Sequence, residues 1–329
     1  MPPTPKKFFV QRGLFYILIT LFSISASYAQ DPQFSQFYAN KLYLNPAFAG
    51  TANCPRASLN YRNQWPGIDN SFVTYSASYD QQIDAIKGGL GVLIMNDQAG
   101  EDILNTTSAH LMYSYQLQVN RKFSIRAGFQ GSYVMKSLNT GNLRFGDMID
   151  PRRGFVYSTR EVAPSESKNY FDLSAGLLGF SEKLYFGVAV HHLIEPDEGM
   201  IGESKLPRKY TAHVGAVFPF GLRMEDMTWS PNVLFQQQGE SSQINLGLYV
   251  TKGPLVLGTW YRANTSIEGD ALIVLAGFKM NEFNVGYSYD LTVSQLSGKT
   301  GGSHEVSLSY TFPCRPKKVK FQTIMCPSF

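Results

Sequence analysis

Apolar and polar residues alternate with a period of two along most of the chain beyond residue 54. In the segment EVSLSYTF, residues 305–312, every second side chain from Val306 to Phe312 is apolar, and those between them are polar. Successive side chains of a strand point to opposite faces, so this pattern predicts strands with one apolar and one polar face. We expect an all-β chain whose strands, about 14 in number, lie near residues 55–65, 71–83, 88–97, 103–118, 121–137, 169–180, 182–193, 207–219, 227–238, 242–252, 254–264, 269–279, 282–293 and 303–313.

The links between these segments favour an antiparallel barrel. Tight links, such as residues 119–122 and 279–282, alternate with longer polar ones, of which the longest runs from Ser137 to Lys168. Short periplasmic turns and long external loops are typical of outer-membrane barrels, and an even strand number places both termini in the periplasm. A soluble β-sandwich has the same periodicity, but aromatic residues clustered towards strand ends favour a membrane barrel. We therefore predict a transmembrane antiparallel β-barrel.

Composition supports a membrane barrel over a soluble enzyme. Charged residues make up 16% of the chain, against roughly 25% in soluble domains. Aromatic residues reach 14%, and the mean hydropathy of -0.16 is near neutral, as alternating strands require. The net charge of +4 is small. Nucleic acid is not expected as a partner of a chain that begins with a secretory signal, whereas the barrel pattern makes outer-membrane lipid an expected one.

The chain divides into four predicted segments. Residues 1–29 are typical of a signal peptide, with a basic start, an apolar run from Leu14 to Ile24 and small residues before a cleavage site at Ala29. Residues 30–54 are a plug or cap segment, residues 55–313 the barrel, and residues 314–329 a periplasmic C-terminal tail. The three cysteines, at positions 54, 314 and 326, leave every disulfide pairing open.

The segment before the first strand is too polar for a membrane helix and too aromatic for a linker. Its side chains need burial, either in the periplasmic mouth of the barrel or against a partner, and the asparagine–proline turn excludes a long helix. We predict a plug, with partner docking as the alternative. The residues assigned to it are Phe34, Phe37, Tyr38, Tyr43, Asn45, Pro46 and Phe48.

No catalytic, phosphate-binding or zinc motif is found in the sequence, so neither an enzyme nor a cofactor is predicted. The neighbouring His191 and His192 would point to opposite faces of a strand and could not bind one ion. The polar phase of the strands predicts lumenal side chains that hold the barrel rigid or line an aqueous path. They are Arg56, Asn60, Arg62, Arg126, Asp172, Glu282, Asp290 and Glu305.

Motifs at both ends of the mature chain carry a resemblance to a known family. Residues 31–50, DPQFSQFYANKLYLNPAFAG, are followed by YRNQWPGI at 61–68, SHEVSLSYTF at 303–312 and a final Cys-Pro-x-Phe. This combination resembles the PorP/SprF family of type IX secretion system membrane proteins from Bacteroidetes. The resemblance implies an outer-membrane barrel that works with machinery exporting proteins with a C-terminal sorting domain. Several members are tied to gliding motility or to the surface attachment of a large adhesin.

The predicted function follows from the barrel and the resemblance together. We expect a non-enzymatic secretion component that binds the sorting domain of a secreted protein for export and cell-surface anchoring. It would also associate with other type IX secretion or gliding components. Alternatives are a FadL-like uptake channel for hydrophobic solutes and a structural adaptor to periplasmic secretion or motor components. Side chains of the longest external loop are the predicted partner contacts: Phe145, Arg152, Arg153, Phe155 and Tyr157.

Overall fold

The computed structural model describes residues 31–52, 54–68, 71–100, 102–139, 143, 145–160, 167–200, 202–221, 227–264, 269–293, 298 and 300–314. The predicted signal peptide, and residues 315–329 of the predicted tail, lie outside this described part of the chain. Within it, no helix is long and apolar enough to cross a membrane.

The described residues form fourteen long antiparallel strands in one closed sheet. Each strand pairs with its neighbour in sequence, and β1 also pairs with β14. The strands are β1 Arg56–Gln64, β2 Phe72–Ile83, β3 Gly88–Ala99, β4 Leu104–Asn120, β5 Phe123–Leu138, β6 Ser167–Phe180, β7 Leu184–His191, β8 Lys209–Ala216, β9 Met227–Gln238, β10 Ser241–Lys252, β11 Leu255–Asn264, β12 Gly269–Met280, β13 Phe283–Thr292 and β14 Ser303–Thr311. The prediction of an all-β, 14-stranded barrel is confirmed.

Closure depends on the first and last strands. They pair in one register from Arg56 opposite Thr311 to Gln64 opposite Ser303. An open sheet in lipid would leave the backbone groups of both edge strands without hydrogen bonds, at several kcal/mol for each group. The closed register removes both edges.

The two faces of the wall differ as the sequence pattern requires. On β1, Leu59 is 53% exposed on the outer face, whereas the next residue, Asn60, is buried in the lumen. The opposing strand repeats this arrangement, since Leu308 lies opposite Leu59 and Ser307 opposite Asn60. A soluble sandwich would bury the apolar face, so that alternative is wrong. The apolar outer face suits lipid.

The two ends of the barrel also differ. The longest connections, residues 139–166 and 192–208, leave from one end, which we call the loop end. Cys54 and Cys314 lie at the other, which we call the terminal end, and form a disulfide that joins the chain before β1 to the chain after β14. Cys326 lies outside the described residues.

Short elements complete the described structure. Before β1, helix α1 covers Lys41–Leu44, and a 3-10 turn covers Pro46–Phe48. Further 3-10 turns lie at Asp84–Ile86 and Gly146–Met148. Two-residue strands at Ile149–Asp150 and Gly154–Phe155 pair as a small hairpin at the loop end, and Phe218–Pro219 pairs with the start of β9.

Candidate functional site

The segment before β1 lies inside the barrel, and we call residues 32–52 the plug. Its aromatic side chains are buried, with Phe34 at 2% and Phe48 at 1% exposure. The Phe37 ring packs edge-on against Trp260 of β11, with ring centroids 5.3 Å apart.

The local sequence of the plug sets the turn between its two short helical pieces. The Asn45 side chain accepts a hydrogen bond of 2.9 Å from the backbone N–H of Ala47, and Pro46 fills the first helical position.

Buried charges hold the first part of the plug. The Glu305 carboxylate accepts hydrogen bonds from the backbone N–H groups of Ser35 (2.6 Å) and Gln36 (3.1 Å). The Ser35 hydroxyl donates to Asp290 over 2.6 Å. The Arg62 guanidinium donates to Asp290 (3.0 Å) and to Glu305 (3.2 Å), so it bridges both carboxylates.

The buried part of this network is balanced in charge. Arg262 of β11 adds a second guanidinium, 3.0 Å from Asp290, and it also pairs with the half-exposed Asp270 of β12 over 2.7 Å. Two buried cations, Arg62 and Arg262, therefore face two buried carboxylates, Asp290 and Glu305. Buried charges are tolerated when they are paired and hydrogen-bonded, and removing one partner is strongly destabilising.

The network also fixes the direction of the plug. Arg62, Asp290 and Glu305 each lie two positions from the loop end of their strands, so Ser35 lies in the half of the lumen nearer the loop end. By contrast, the Gly50 N–H donates to Asp80 near the terminal end, over 2.9 Å. The plug thus crosses the lumen. This differs from the expectation of a plug confined to the periplasmic mouth and starting at the same end as the C-terminal tail.

Close backbone contact holds the second part of the plug. Gly128 of β5 and Gly176 of β6 lie opposite each other in register, and together they leave a flat area on the inner wall. A Cβ atom on Gly128 would overlap the backbone of Ala47, and one on Gly176 would overlap the Asn45 side chain. The Asn45 amide donates to two wall carbonyls, those of Leu177 and Val188, at 3.1 and 3.2 Å.

Most of the predicted lumenal residues face the plug or the inner wall. Arg56 pairs with Asp80 (2.9 Å), and Asn60 donates to Ser76 (3.3 Å). Arg126 donates to the carbonyl of Ala49 over 2.6 Å. These side chains lie away from the Arg62 network, towards the terminal end or the middle of the wall.

Two other predicted positions fall outside this set. Glu282 is not lumenal, because β12 ends at Met280 and β13 begins at Phe283, which leaves it exposed in the turn between them. Asp172 is lumenal and accepts a hydrogen bond from His192 over 2.9 Å. Among the described residues, no group of three or more His, Cys, Asp and Glu side chains could hold a metal ion.

The predicted partner contacts lie together on the small hairpin at the loop end. Phe155 and Tyr157 are exposed at 48% and 56%, and Arg152 and Arg153 are also exposed. Asp150 orders the turn, since it accepts hydrogen bonds from the N–H groups of both arginines and from the Tyr157 hydroxyl. These bonds hold the pKa of Asp150 below its usual value. Phe145 is half-buried at the base of the hairpin.

Several residues of the site were not singled out in the sequence. Ser35, Gln36, Asp80 and Arg262 belong to the polar contacts of the plug, and Gly128 and Gly176 form its contact area. A glycine in the polar phase of a strand indicates close approach of another backbone, and both wall glycines carry this signal. The carboxylates that accept hydrogen bonds from Ser35 and Gln36 lie more than 250 residues away in sequence, so no local pattern identifies them.

A closed barrel with an apolar exterior and a polar, plugged lumen defines a transmembrane β-barrel protein. A family model described as type IX secretion system membrane protein PorP/SprF matches residues 26–310. The chain belongs to this family, as its end motifs predict. No curated protein matches the chain.

Solved barrels resemble the fold at low sequence identity. The toluene transporter TodX of P. putida is 10% identical, with a TM-score of 0.47 over 82% of this chain and 93% of that one. Omp33 of Acinetobacter baumannii is 9% identical, with a TM-score of 0.46 over 80% and 100%. A FadL homologue of Pseudomonas aeruginosa is 12% identical, with a TM-score of 0.43 over 82% and 93%. These values are too low to transfer any activity.

Proposed function

We propose that the protein is a non-enzymatic outer-membrane component of type IX secretion that binds the C-terminal sorting domain of a secreted protein. The binding would serve the export of that secreted protein and its anchoring at the cell surface, and a large gliding adhesin is one such protein. The observation that carries the proposal is the division of the molecule into a lumen occupied by its own plug and an exposed hairpin at the loop end. Because the plug crosses the lumen, a folded sorting domain would have to be recognised at surfaces outside it.

The hairpin has the properties of a contact surface. Exposed apolar side chains at Ile149, Phe155 and Val156 lie beside two exposed arginines. Aromatic and arginine side chains dominate binding energy in protein interfaces. The hydrogen bonds to Asp150 order the turn before binding, which lowers the conformational entropy lost in a complex. This surface suits an apolar partner that carries some acidic side chains.

We place the terminal end in the periplasm and the loop end outside the cell, because long loops of outer-membrane barrels are external. In this orientation the hairpin faces the medium, where an anchored protein would be retained. The disulfide between Cys54 and Cys314 lies on the periplasmic side, and disulfides form in that oxidising compartment.

The two alternatives predict different contacts. A FadL-like channel needs a path through the lumen that the plug occupies. A structural adaptor would meet its partners at the terminal end. Association with other type IX or gliding components is compatible with either end.

Site-specific crosslinking tests the proposal. A photoreactive amino acid at Tyr157 should capture a secreted protein with a sorting domain in intact cells. The matched control carries the same amino acid at Asn281, in an exposed turn at the terminal end. Capture from Asn281 alone would support the adaptor instead, and the absence of sorting-domain proteins from the Tyr157 product would contradict the proposal.

A further inference from the structure

A cavity of about 300 Å³ lies between the plug and the inner wall at the terminal end. Residues of β1 and of β10 to β14 form one side, and plug residues form the other. Cys54, Lys279 and Thr311 line it at the terminal rim of the barrel. Its volume is at the lower end of the range for small-molecule pockets, about 300–1,000 Å³.

The lining combines an apolar back wall with positive charge. Tyr249, Val256 and Leu275 supply the apolar part, and all three are buried. The charged side chains that line the cavity are cations, Lys41, Arg56 and Lys279, and no carboxylate among the described residues lines it. Asp80 neutralises Arg56 from outside the lining, with a salt bridge of 2.9 Å.

Lys279 is the best-placed group to receive a ligand. It lies on the lumenal face of β12 and is half-buried. Within the described part of the chain, no side chain forms a hydrogen bond or ion pair with its ammonium group. A partly desolvated ammonium without a counterion is unfavourable, so a bound anion would be stabilised there.

Asn284 adds a second, complementary group. It lies directly opposite Lys279 in the β12–β13 register. Its amide nitrogen donates to the Ser309 hydroxyl over 3.2 Å, while its oxygen is buried and has no hydrogen-bond partner. The cavity therefore offers, side by side, a cation for an anionic group and an acceptor for an N–H group, in front of an apolar wall.

We propose that this cavity binds an apolar segment that ends in a free carboxylate. The carboxylate pairs with Lys279, the apolar part packs on Tyr249, Val256 and Leu275, and an adjacent N–H, where the ligand has one, donates to the Asn284 oxygen. The C-terminus of an apolar peptide and a medium-chain fatty acid share this chemistry. The proposal is independent of the sorting-domain function, because the cavity lies at the opposite end of the barrel from the hairpin.

Titration calorimetry with the full-length barrel in detergent tests the site, with matched detergent blanks. One arm uses octanoate and octanamide, and the other uses a short apolar peptide with a free or an amidated C-terminus. At least one carboxylate form should bind saturably, and the affinity of its amide should be lower by a factor of about ten or more. Tighter binding of the peptide than of octanoate assigns the ligand to a chain end, and the reverse assigns it to a lipid.

Variants locate the binding at the cavity. Lys279→Gln should weaken the carboxylate form about tenfold, and Lys279→Arg should retain most of the affinity. Lys252→Gln is the matched control, because Lys252 is exposed at the same end and does not line the cavity. Heat-modified gel mobility verifies that each variant is a folded barrel. Saturable binding by neither carboxylate, equal binding of acid and amide, or unchanged binding by Lys279→Gln would overturn the proposal.

Discussion

The two parts of the plug are held in the barrel by different interactions. Near the loop end, the plug backbone donates hydrogen bonds to a buried carboxylate within a balanced set of charges. Near the terminal end, it lies against wall positions that lack a side chain and donates to two wall carbonyls, while Asp80 and Arg126 each form one hydrogen bond with its backbone. The first part depends on charge pairing, and the second depends mainly on shape.

The difference has a physical consequence. Charge pairing in a buried site fails as a unit, because loss of one ion leaves its partners desolvated and unpaired. Close packing against glycine fails at single positions, where one added methyl group displaces the chain. Single substitutions in each part of the plug separate these two kinds of failure.

Arg62→Met should have the largest effect on stability. The methionine fills most of the space but leaves Asp290 and Glu305 with only Arg262 in their neighbourhood, so the barrel should lose about 3–5 kcal/mol of unfolding free energy. Urea unfolding monitored by heat-modified gel mobility measures this loss. Arg121→Met is the control, since Arg121 is exposed in a turn. A loss below about 1 kcal/mol would show that the charges do not act as a unit.

Gly128→Ala should displace the second part of the plug, because the new methyl group would overlap the backbone of Ala47. We expect a loss of about 1–3 kcal/mol, together with faster protease cleavage of the plug. The control is Gly131→Ala on the same strand, where nothing lies within 4 Å of the added atom. Equal behaviour of the two variants would contradict a packed contact at this position.

Asn45→Ala removes the cap of the 3-10 turn and the donor to two wall carbonyls. The loss should be smaller, about 0.5–2 kcal/mol, as for other capping residues. In the double variant, the losses of unfolding free energy from Asn45→Ala and Arg62→Met should add, since the two sites share no partner. Strong coupling between them in a double-mutant cycle would show that the two parts of the plug are not separate.

A half-buried ion pair between Lys168 and Asp197 lies outside the plug, at the loop end. The Lys168 ammonium, with the N–H groups of Ser204 and Gly199, lowers the pKa of Asp197 to about 2, from 3.8. Because the folded pKa is the lower one, this contribution to stability is present above pH 4 and is lost as the pH falls through about 2.

Pepsin cleavage within residues 192–208 measures this effect. Wild type should be cut more slowly than Asp197→Asn at pH 4, and the two rates should converge near pH 2. Glu240→Gln, an exposed carboxylate in another turn at the loop end, should match wild type throughout. A rate ratio that does not change with pH would show that Asp197 does not stabilise this loop.

Much of the fold could be predicted from the sequence, because the period of two is local and repeats in every strand. The strand number, the outward apolar face and the lumenal position of Arg62 all follow from that alternation. Glu282 shows its limit: the polar phase extends into the turn, where the backbone no longer holds a side chain in the lumen.

The path of the plug could not be predicted in the same way. Its aromatic residues indicate burial, yet the direction depends on contacts such as Ser35 with Asp290, which join distant parts of the chain. The same holds for the cavity at Lys279, since it exists only where the plug and the wall leave space between them.

The central claim is that the plug closes the barrel, and conductance in planar lipid bilayers tests it most directly. Wild type should show no stable single-channel steps, while deletion of residues 32–50 should open them. If the deletion variant does not fold, Gly128→Ala provides a second test. It should produce transient conductance steps, and Gly131→Ala should produce none. Steady conductance by wild type, or a folded deletion variant that stays closed, would contradict the account.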